Sequence, residues 1–369
     1  MSERSTYDQN GAPSQDAPTS LPSSDQPSVT LVIPGRNCAS TLDRCLSSVV
    51  PLKESGQLTE IVFVDDGSTD ETPHIAARYP VTVLTGKGQG PGAARNLGWR
   101  ATECELIWFI DSDCVAEPDA LEKLLPHLND PEVAGVGGSY ANLYPESLVA
   151  SLIHEEIVAR HRRMRREVNF LATFNVIYRR SVLSALSGYN EELKLAQDAE
   201  FAYRVIANHH RLNFEIDSRV GHHHPRNLWR YLRTQTRQGY YRIKLYREHP
   251  AKVSGDSYAG IVDYLQPILS AGSLISLPCL FLPWGWILLA CCTMGVFLLQ
   301  IPLTAKLLDQ AGVKMFAFPA FGFVRSYARA LGMLAGVCLS RPKAGRHKMA
   351  IEGKEPKVEE TRNYAEPVS

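Results

Sequence analysis

Apolar residues in the first third of the chain fall in short unbroken runs, separated by stretches with helical spacing. Val29 to Ile33, Ile61 to Val64, Val81 to Leu84 and Leu106 to Ile110 have the length and the β-branched or aromatic content of strands buried on both faces. Between the first two, Leu42, Leu46, Val49 and Val50 line one helical face, which predicts a helix over Thr41 to Val50. Asp70 to Arg78 reads as a second helix with Ser68 or Asp70 as its cap. Gly88-Gln89-Gly90-Pro91-Gly92-Ala93-Ala94-Arg95-Asn96 is a glycine-rich turn that opens a third. Such βαβα order predicts an α/β domain built on a doubly wound, Rossmann-like, mainly parallel sheet. Further on, Leu212 to Ile216 is strand-like, Asp217-Ser218-Arg219 reads as a turn, and Ala199 to Ala207 as a helix.

The pattern changes in the last third. Leu265 to Ala305 is almost wholly apolar, longer than the roughly 20 residues that one helical span of a bilayer needs, and is broken by Pro278 and Pro283. We read residues 264–306 as a transmembrane hairpin, with Trp284 and Trp286 in the connection at the membrane interface; a buried soluble helix pair is the competing reading. Basic residues before Val253, and Lys306 after the second span, put both ends on the cytoplasmic side. Residues 315–340 carry Arg325 and Arg329 one helical turn apart, which favours an interfacial helix over a third span. Arg226 to Arg247 interleaves arginines with Trp229, Tyr231, Tyr240, Tyr241 and Tyr246, a pattern suited to a membrane surface.

Composition removes several function classes. Lys+Arg and Asp+Glu are equal, at 39 each, so the chain as a whole exerts no pull on nucleic acid. Eight cysteines without a CxxC pair read as reduced, buried side chains. Residues 1–28 are rich in Ser, Pro, Asp and Gln, and residues 352–369 are charged; neither can bury enough apolar surface to offset ordering, and both are expected to be disordered tails. No basic segment followed by an apolar one occurs near the start. The domain spanning residues 29–250 is therefore expected in the cytoplasm, on a multi-pass protein of the cell membrane.

Candidate chemistry lies where the strands end. Val64-Asp65-Asp66-Gly67-Ser68 and Phe109-Ile110-Asp111-Ser112-Asp113 place paired acids just past two apolar runs, at the carboxyl ends where open α/β sheets bind ligands. Alternate residues of an extended segment point the same way, so Asp111 and Asp113 can address one ligand. Taken singly, each motif has a plainer reading: Asp-Gly-Ser-Thr-Asp is also turn and cap chemistry, and a lone D-x-D is common on surfaces. Gly88-x-Gly90-x-Gly92 lacks the spacing of a dinucleotide fingerprint and follows the third strand, which argues against a redox cofactor. It is either a tight turn or a helix start that puts Arg95 near a diphosphate.

The segments VTLVIPGRNCASTLDRCLSSV, EIVFVDDGSTDET, GPGAARNLG and LIWFIDSDC, in this order, resemble the family 2 glycosyltransferases of the GT-A fold. The resemblance covers Val29 to Arg242, with FNVIYRRSVLSALSGYNEEL and QDAEFAYRV as weaker matches. It implies contacts to a nucleotide sugar from Pro34, Arg36, Asn37, Asp65, Asp66, Gly92, Arg95, Asp111 and Ser112, with Asp66 on the nucleobase and Asp65 supporting its turn. Asn37 has a second reading as a residue that only shapes the turn. Asp113 is implied as first ligand of Mg²⁺ or Mn²⁺, and His222 as the second, with His224 its alternative because neighbours in an extended segment face opposite ways. Asp198, in Gln197-Asp198 after Ser187-Gly188-Tyr189, is implied as the catalytic base; its other reading is an N-cap, and Gln197 stands where glutamate is commoner.

The resemblance thus implies an inverting, metal-dependent transfer from a nucleoside-diphosphate sugar, expected to be a UDP-sugar, to a hydroxyl of a lipid-linked or saccharide acceptor at the membrane. The Gln-x-x-Arg-Trp signature of processive synthases is only approximated by Gln238-Gly239-Tyr240-Tyr241-Arg242, so single transfers are expected. The basic stretch Arg160 to Arg166 is expected on a helix, either as a solvated face or as a phosphate contact. A sugar nucleotidyltransferase and a catalytically silent membrane scaffold are the alternatives from other classes.

Overall fold

The apolar runs become strands whose alternate residues serve two separate cores. In the computed structural model, which describes residues 27–250 and 256–339, the chain begins β1 (Val29–Gly35), α1 (Ala39–Glu54), β2 (Glu60–Asp65), α2 (Thr72–Ala76), β3 (Thr82–Thr85), α3 (Pro91–Arg100) and β4 (Leu106–Ile110). Leu31, Ile33, Ile61, Phe63 and Trp108 pack with Leu42, Leu46 and Val49 of α1 on one face of the sheet. Val32, Val62, Val64, Ile107 and Phe109 pack on the other with Ala94 and Trp99 of α3. β1 pairs in parallel with both β2 and β4, and β2 with β3. The carboxyl ends of these strands therefore share one edge.

The second half of the sheet is mixed. It comprises β5 (Cys114–Ala116), α4 (Ala120–Leu124), β6 (Val133–Asn142), α5 (Leu148–His161), β7 (Glu167–Val168), β8 (Asn175–Arg179), α6 (Arg180–Ala185), α7 (Gln197–Ala207) and β9 (Arg211–His222). The strand order is β3-β2-β1-β4-β8-β6-β9-β5, with β7 on β9, and β8 runs antiparallel to β4 and β6. Three local expectations are corrected here. Asp217-Ser218-Arg219 is no chain reversal but a bulge inside β9: partners step from Gly138 with Glu215 to Ser139 with Arg219, and the strand continues to His222. The basic stretch is not helical throughout, because α5 ends at His161 and leaves Arg162 to Arg166 beyond it. α2 is also shorter than its pattern at both ends: its N-cap is Glu71, and Asp70 lies before it, accepting the amide of Thr72.

Among the described residues five α-helices follow: α8 (Leu228–Glu248), α9 (Ile261–Ser276), α10 (Gly285–Leu298), α11 (Ile301–Ala311) and α12 (Phe318–Leu339). The stretches Ile261–Phe281 and Gly285–Ala311 are long and apolar enough to cross a membrane. Ile261, Leu265, Ile268 and Ile275 form an exposed apolar stripe on α9, and Phe281, Trp284 and Trp286 project at the connection. The aromatic face of α8 turns inward instead of toward a membrane surface: Tyr231 is buried and stacks on Phe321 of α12 at 5.1 Å, while Trp229 stays exposed. Small residues permit this approach. A Cβ on Gly332 would lie 1.8 Å from the Thr236 carbonyl oxygen, and one on Gly239 would lie 2.3 Å from that of Arg329.

A buried charge cluster ties the C-terminal helices to the sheet domain. Glu156 of α5 accepts from Arg160 at 2.6 Å and pairs with Arg325 of α12, and Arg160 also meets Asp263 of α9 at 2.5 Å. Arg325 thus faces protein and carboxylate, which satisfies a charge that a bilayer interior would not. Glu156→Ala leaves the Arg325 guanidinium buried without its counter-ion, so we expect a loss of about 3–5 kcal/mol in unfolding experiments on the detergent-solubilised protein. Combining Glu156→Leu with Arg325→Met should recover much of it; equal stability of Glu156→Ala and wild type would contradict the cluster's role.

Candidate active site

Because β1, β2 and β4 run parallel, the residues that follow them meet at one edge: Arg36, Asp66 and Asp111. The Asp66 carboxylate accepts the amides of Gln89 at 3.0 Å and Gly90 at 2.7 Å, which fastens the glycine-rich turn to the acidic one. That turn needs glycine at Gly88 and Gly90, whose φ values of 70° and 102° lie outside the range of ordinary side chains. Asp65 accepts the amide of Ser68 at 3.0 Å and so holds its turn, as expected. Asn37 accepts the Thr69 amide at 2.8 Å and receives no place in the cavity wall; the structure gives it the turn-shaping role.

Arg95 on α3 is almost fully buried, donates to Asp111 at 2.5 Å, and lies over the Tyr189 ring at 5.8 Å. Two of its nitrogens, Nε and Nη1, have no partner among the described residues. The next residue, Asn96, brackets Tyr189: its Oδ1 accepts the Tyr189 amide and its Nδ2 donates to the Tyr189 carbonyl, both at 2.8 Å. Two consecutive side chains of α3 therefore join the D-x-D segment to the turn that leads into α7. Gly92 faces that turn as well, with a built Cβ 3.3 Å from the Asn190 carbonyl oxygen, and not the cavity.

Asp198 sits in the first turn of α7, after Ala196 in the left-handed region at φ 65°. It is not the N-cap; its carboxylate accepts the following amide, Ala199, at 2.8 Å. Burial pushes its pKa up, against the lowering pull of the Ala199 amide, Arg95 and Arg242. A carboxylate raised in this way is a better proton acceptor than an ordinary aspartate.

The strand register assembles the other half of the site. Cys114 on β5 pairs with His222 on β9, which brings His222 Nε2 to 3.4 Å from Asp113 Oδ2. Ligand atoms of Asp113, Cys114 and His222 lie within 4.8 Å of one another. Burial drives the Cys114 thiol well above its usual pKa, so it stays protonated and leaves an oxygen and an imidazole. That pair suits Mg²⁺ or Mn²⁺. Although burial pulls the other way, His222 is held above its usual pKa and Asp113 below its own by their mutual attraction.

The histidine alternation also holds. His222 and His224 face each other, Nδ1 to Nδ1 at 2.9 Å, and His224 Nε2 reaches His154 Nδ1 at 3.4 Å, while His223 turns away to Tyr144. A His222 that offers its Nε2 lone pair must carry its proton on Nδ1 and donate it to His224, whose proton then sits on Nε2 toward His154. His154 was not legible in the sequence as part of this group.

One cavity of about 970 Å³ is lined by Asp66, Asp111, Asp113 and Asp198 together, with Pro34, Arg36, Arg95 and Ser112. Asp65, Asn37, Gly92 and His222 are not among its lining residues. Residues 30–187 match the model of the glycosyl transferase family 2 domain. Residues 30–187 are a family 2 glycosyltransferase domain. Its relatives include a pre-mycofactocin glycosyltransferase of Mycobacterium tuberculosis, 29% identical over 61% of this chain and 49% of the relative. The O-antigen chain rhamnosyltransferase WbaN of Salmonella anatum is 27% identical over 54% of this chain and 67% of that protein. The chain thus spans about half the length of the mycobacterial relative. Among solved structures, the mannosyltransferase PcManGT of Pyrobaculum calidifontis, in complex with GDP-mannose and Mn²⁺, aligns with a TM-score of 0.57 at 19% identity, over 85% of this chain and 88% of that one. The glycosyltransferase therefore has the GT-A fold.

The cavity also reveals residues that its motifs did not. Lys194 donates to the Gln89 carbonyl over the glycine turn, and Arg237, Arg242 and Arg329 line the far end. The arginines of α8 follow the helical period in the sequence, yet only the packing of α12 decides which face is enclosed. Of the basic stretch, Arg160 reaches the cavity, with its guanidinium already engaged by Asp263 and Glu156.

Proposed function

We propose that this glycosyltransferase moves a sugar from a nucleoside-diphosphate sugar, UDP-linked in our reading, to a hydroxyl of a lipid-linked or saccharide acceptor, with inversion and with Mg²⁺ or Mn²⁺. The observation that carries this reading is the convergence of Asp66, Asp111, Asp113 and Asp198, from three separate stretches of chain, on one cavity. The nucleotide sugar and ion held by the archaeal mannosyltransferase, and the named substrates of the Salmonella relative, support it.

Asp66 and Arg36 would take the nucleoside, with Asp111 on the ribose held in place by Arg95. Asp113 and His222 would hold the divalent ion, which neutralises charge on a departing diphosphate when bound. Asp198 would accept the proton of the acceptor hydroxyl as its oxygen bonds to the anomeric carbon; the bond to the diphosphate oxygen breaks, and the diphosphate leaves with the electron pair. Attack from the side opposite the leaving group inverts the centre. The stretches Ile261–Phe281 and Gly285–Ala311 would anchor the domain to the cell membrane from its cytoplasmic side.

The test is incubation of membranes containing the protein with UDP- and GDP-sugars and Mn²⁺ or Mg²⁺, with the released nucleotide measured. Release of nucleoside diphosphate with an acceptor present is the expected result. Nucleoside triphosphate and sugar 1-phosphate, formed only when pyrophosphate is added, would identify a nucleotidyltransferase, and no turnover with any donor would leave a silent scaffold.

A further inference from the structure

The cavity does not end at the sheet. From the acidic wall it extends between α8, α9 and α12, where its lining changes character. Arg237 and Arg242 of α8 and Arg329 of α12 line this end, beside Pro267 and Ile268 of α9 and Met333 of α12. The charges are unbalanced. Asp263 is shared with Arg160 at 2.5 Å and lies 3.8 Å from Arg329. Arg242 has Asp256 at 3.6 Å, and Arg237 makes no ion pair among the described residues. This leaves a cationic end facing the cavity, suited to an anion.

The apolar side of the same end is continuous with the outer surface. Ile268 lines the cavity and is also 60% exposed, in register with Ile261, Leu265 and Ile275 on the apolar stripe of α9. A span of that composition exposes such a stripe to hydrocarbon. The cavity therefore opens at a seam where this apolar stripe meets guanidinium groups. A wholly polar acceptor would gain nothing from Pro267, Ile268 and Met333, and an uncharged lipid would leave the arginines without a counter-ion.

Resting on the reading above, we propose that the acceptor is a phosphate-bearing amphiphile: its phosphate is held by Arg237, Arg242 and Arg329, its hydrocarbon leaves past Ile268 into the bilayer, and the hydroxyl to be glycosylated lies on a group attached to that phosphate. The phosphate is an anchor and not the nucleophile, because Asp198 supplies a base that only a hydroxyl needs.

Titration calorimetry on the purified full chain in an uncharged detergent tests this, with decyl phosphate, decanol and inorganic phosphate as probes and no donor present. Decyl phosphate should bind, with decanol and inorganic phosphate each about tenfold or more weaker. Arg237→Gln should weaken decyl phosphate by a similar factor, and Arg237→Lys should restore part of it. Arg237 is exposed within the cavity, so this variant is not a folding variant. Inorganic phosphate binding as tightly as decyl phosphate would mean a free-anion site, decanol doing so would mean a hydrocarbon groove, and an unaffected Arg237→Gln would remove the arginine contact; each overturns the proposal. A failure of donor turnover overturns the parent reading instead, since no nucleotide enters this measurement.

Discussion

Asp198→Asn is expected to reduce sugar transfer by roughly 10²- to 10⁴-fold, the range that a positioned general base supplies. The amide keeps the shape of the carboxylate and its place at the start of α7, so binding of the nucleotide and of Mn²⁺ should be unchanged and the loss should fall on kcat. The pH profile gives a second readout. Burial raises the pKa of Asp198, and only its ionised form accepts a proton. Activity should therefore fall as pH drops through that raised value, at a higher pH than an ordinary aspartate near 3.9 would give. The acid limb should vanish in the Asn variant. Wild-type turnover by Asp198→Asn would reduce Asp198 to an acidic residue at a helix start.

The second large effect is expected at Asp113. Removing its carboxylate takes away the oxygen of the proposed metal pair and leaves His222 facing an empty corner. Asp113→Ala should abolish measurable Mn²⁺ binding by the purified protein, followed by electron paramagnetic resonance or calorimetry. It should also lower transfer about 10³-fold, as expected when several kcal/mol of leaving-group stabilisation are lost. His222→Ala should weaken Mn²⁺ less, because one carboxylate remains. Unchanged Mn²⁺ affinity in Asp113→Ala would place the ion elsewhere and dissolve the site as drawn.

β1, β2 and β4 were legible because they are buried on both sides, whereas the edge strand β3 is largely exposed. Leu106–Ile110 has the bounds that its apolar run marks, since both of its faces are buried among apolar side chains. The later strands were not legible. β6 carries Gly135, Gly137 and Gly138, whose bare backbones make room for Tyr178, Leu171 and Asn175 against the strand, and such residues signal turns when seen in sequence alone. The Asp217 to Arg219 bulge misleads for the same reason: its residues prefer turns, and only pairing to β6 and β5 carries the strand through to His222.

What the amino-acid order determined by itself was local: acidic pairs at the ends of buried strands, a glycine turn opening a helix, histidines alternating along an extended segment, and a long apolar C-terminal stretch. These depend on side-chain period and on backbone preference over a few residues, which neighbours in the chain supply. The tertiary structure alone decided that Asn96 clamps the turn before α7, that β5 beside β9 delivers His222 to Asp113, and that α12 encloses the arginines of α8. Those depend on strand register and helix packing between residues far apart in the chain, which are set by how the two cores and the charge cluster close together and not by any single stretch of sequence.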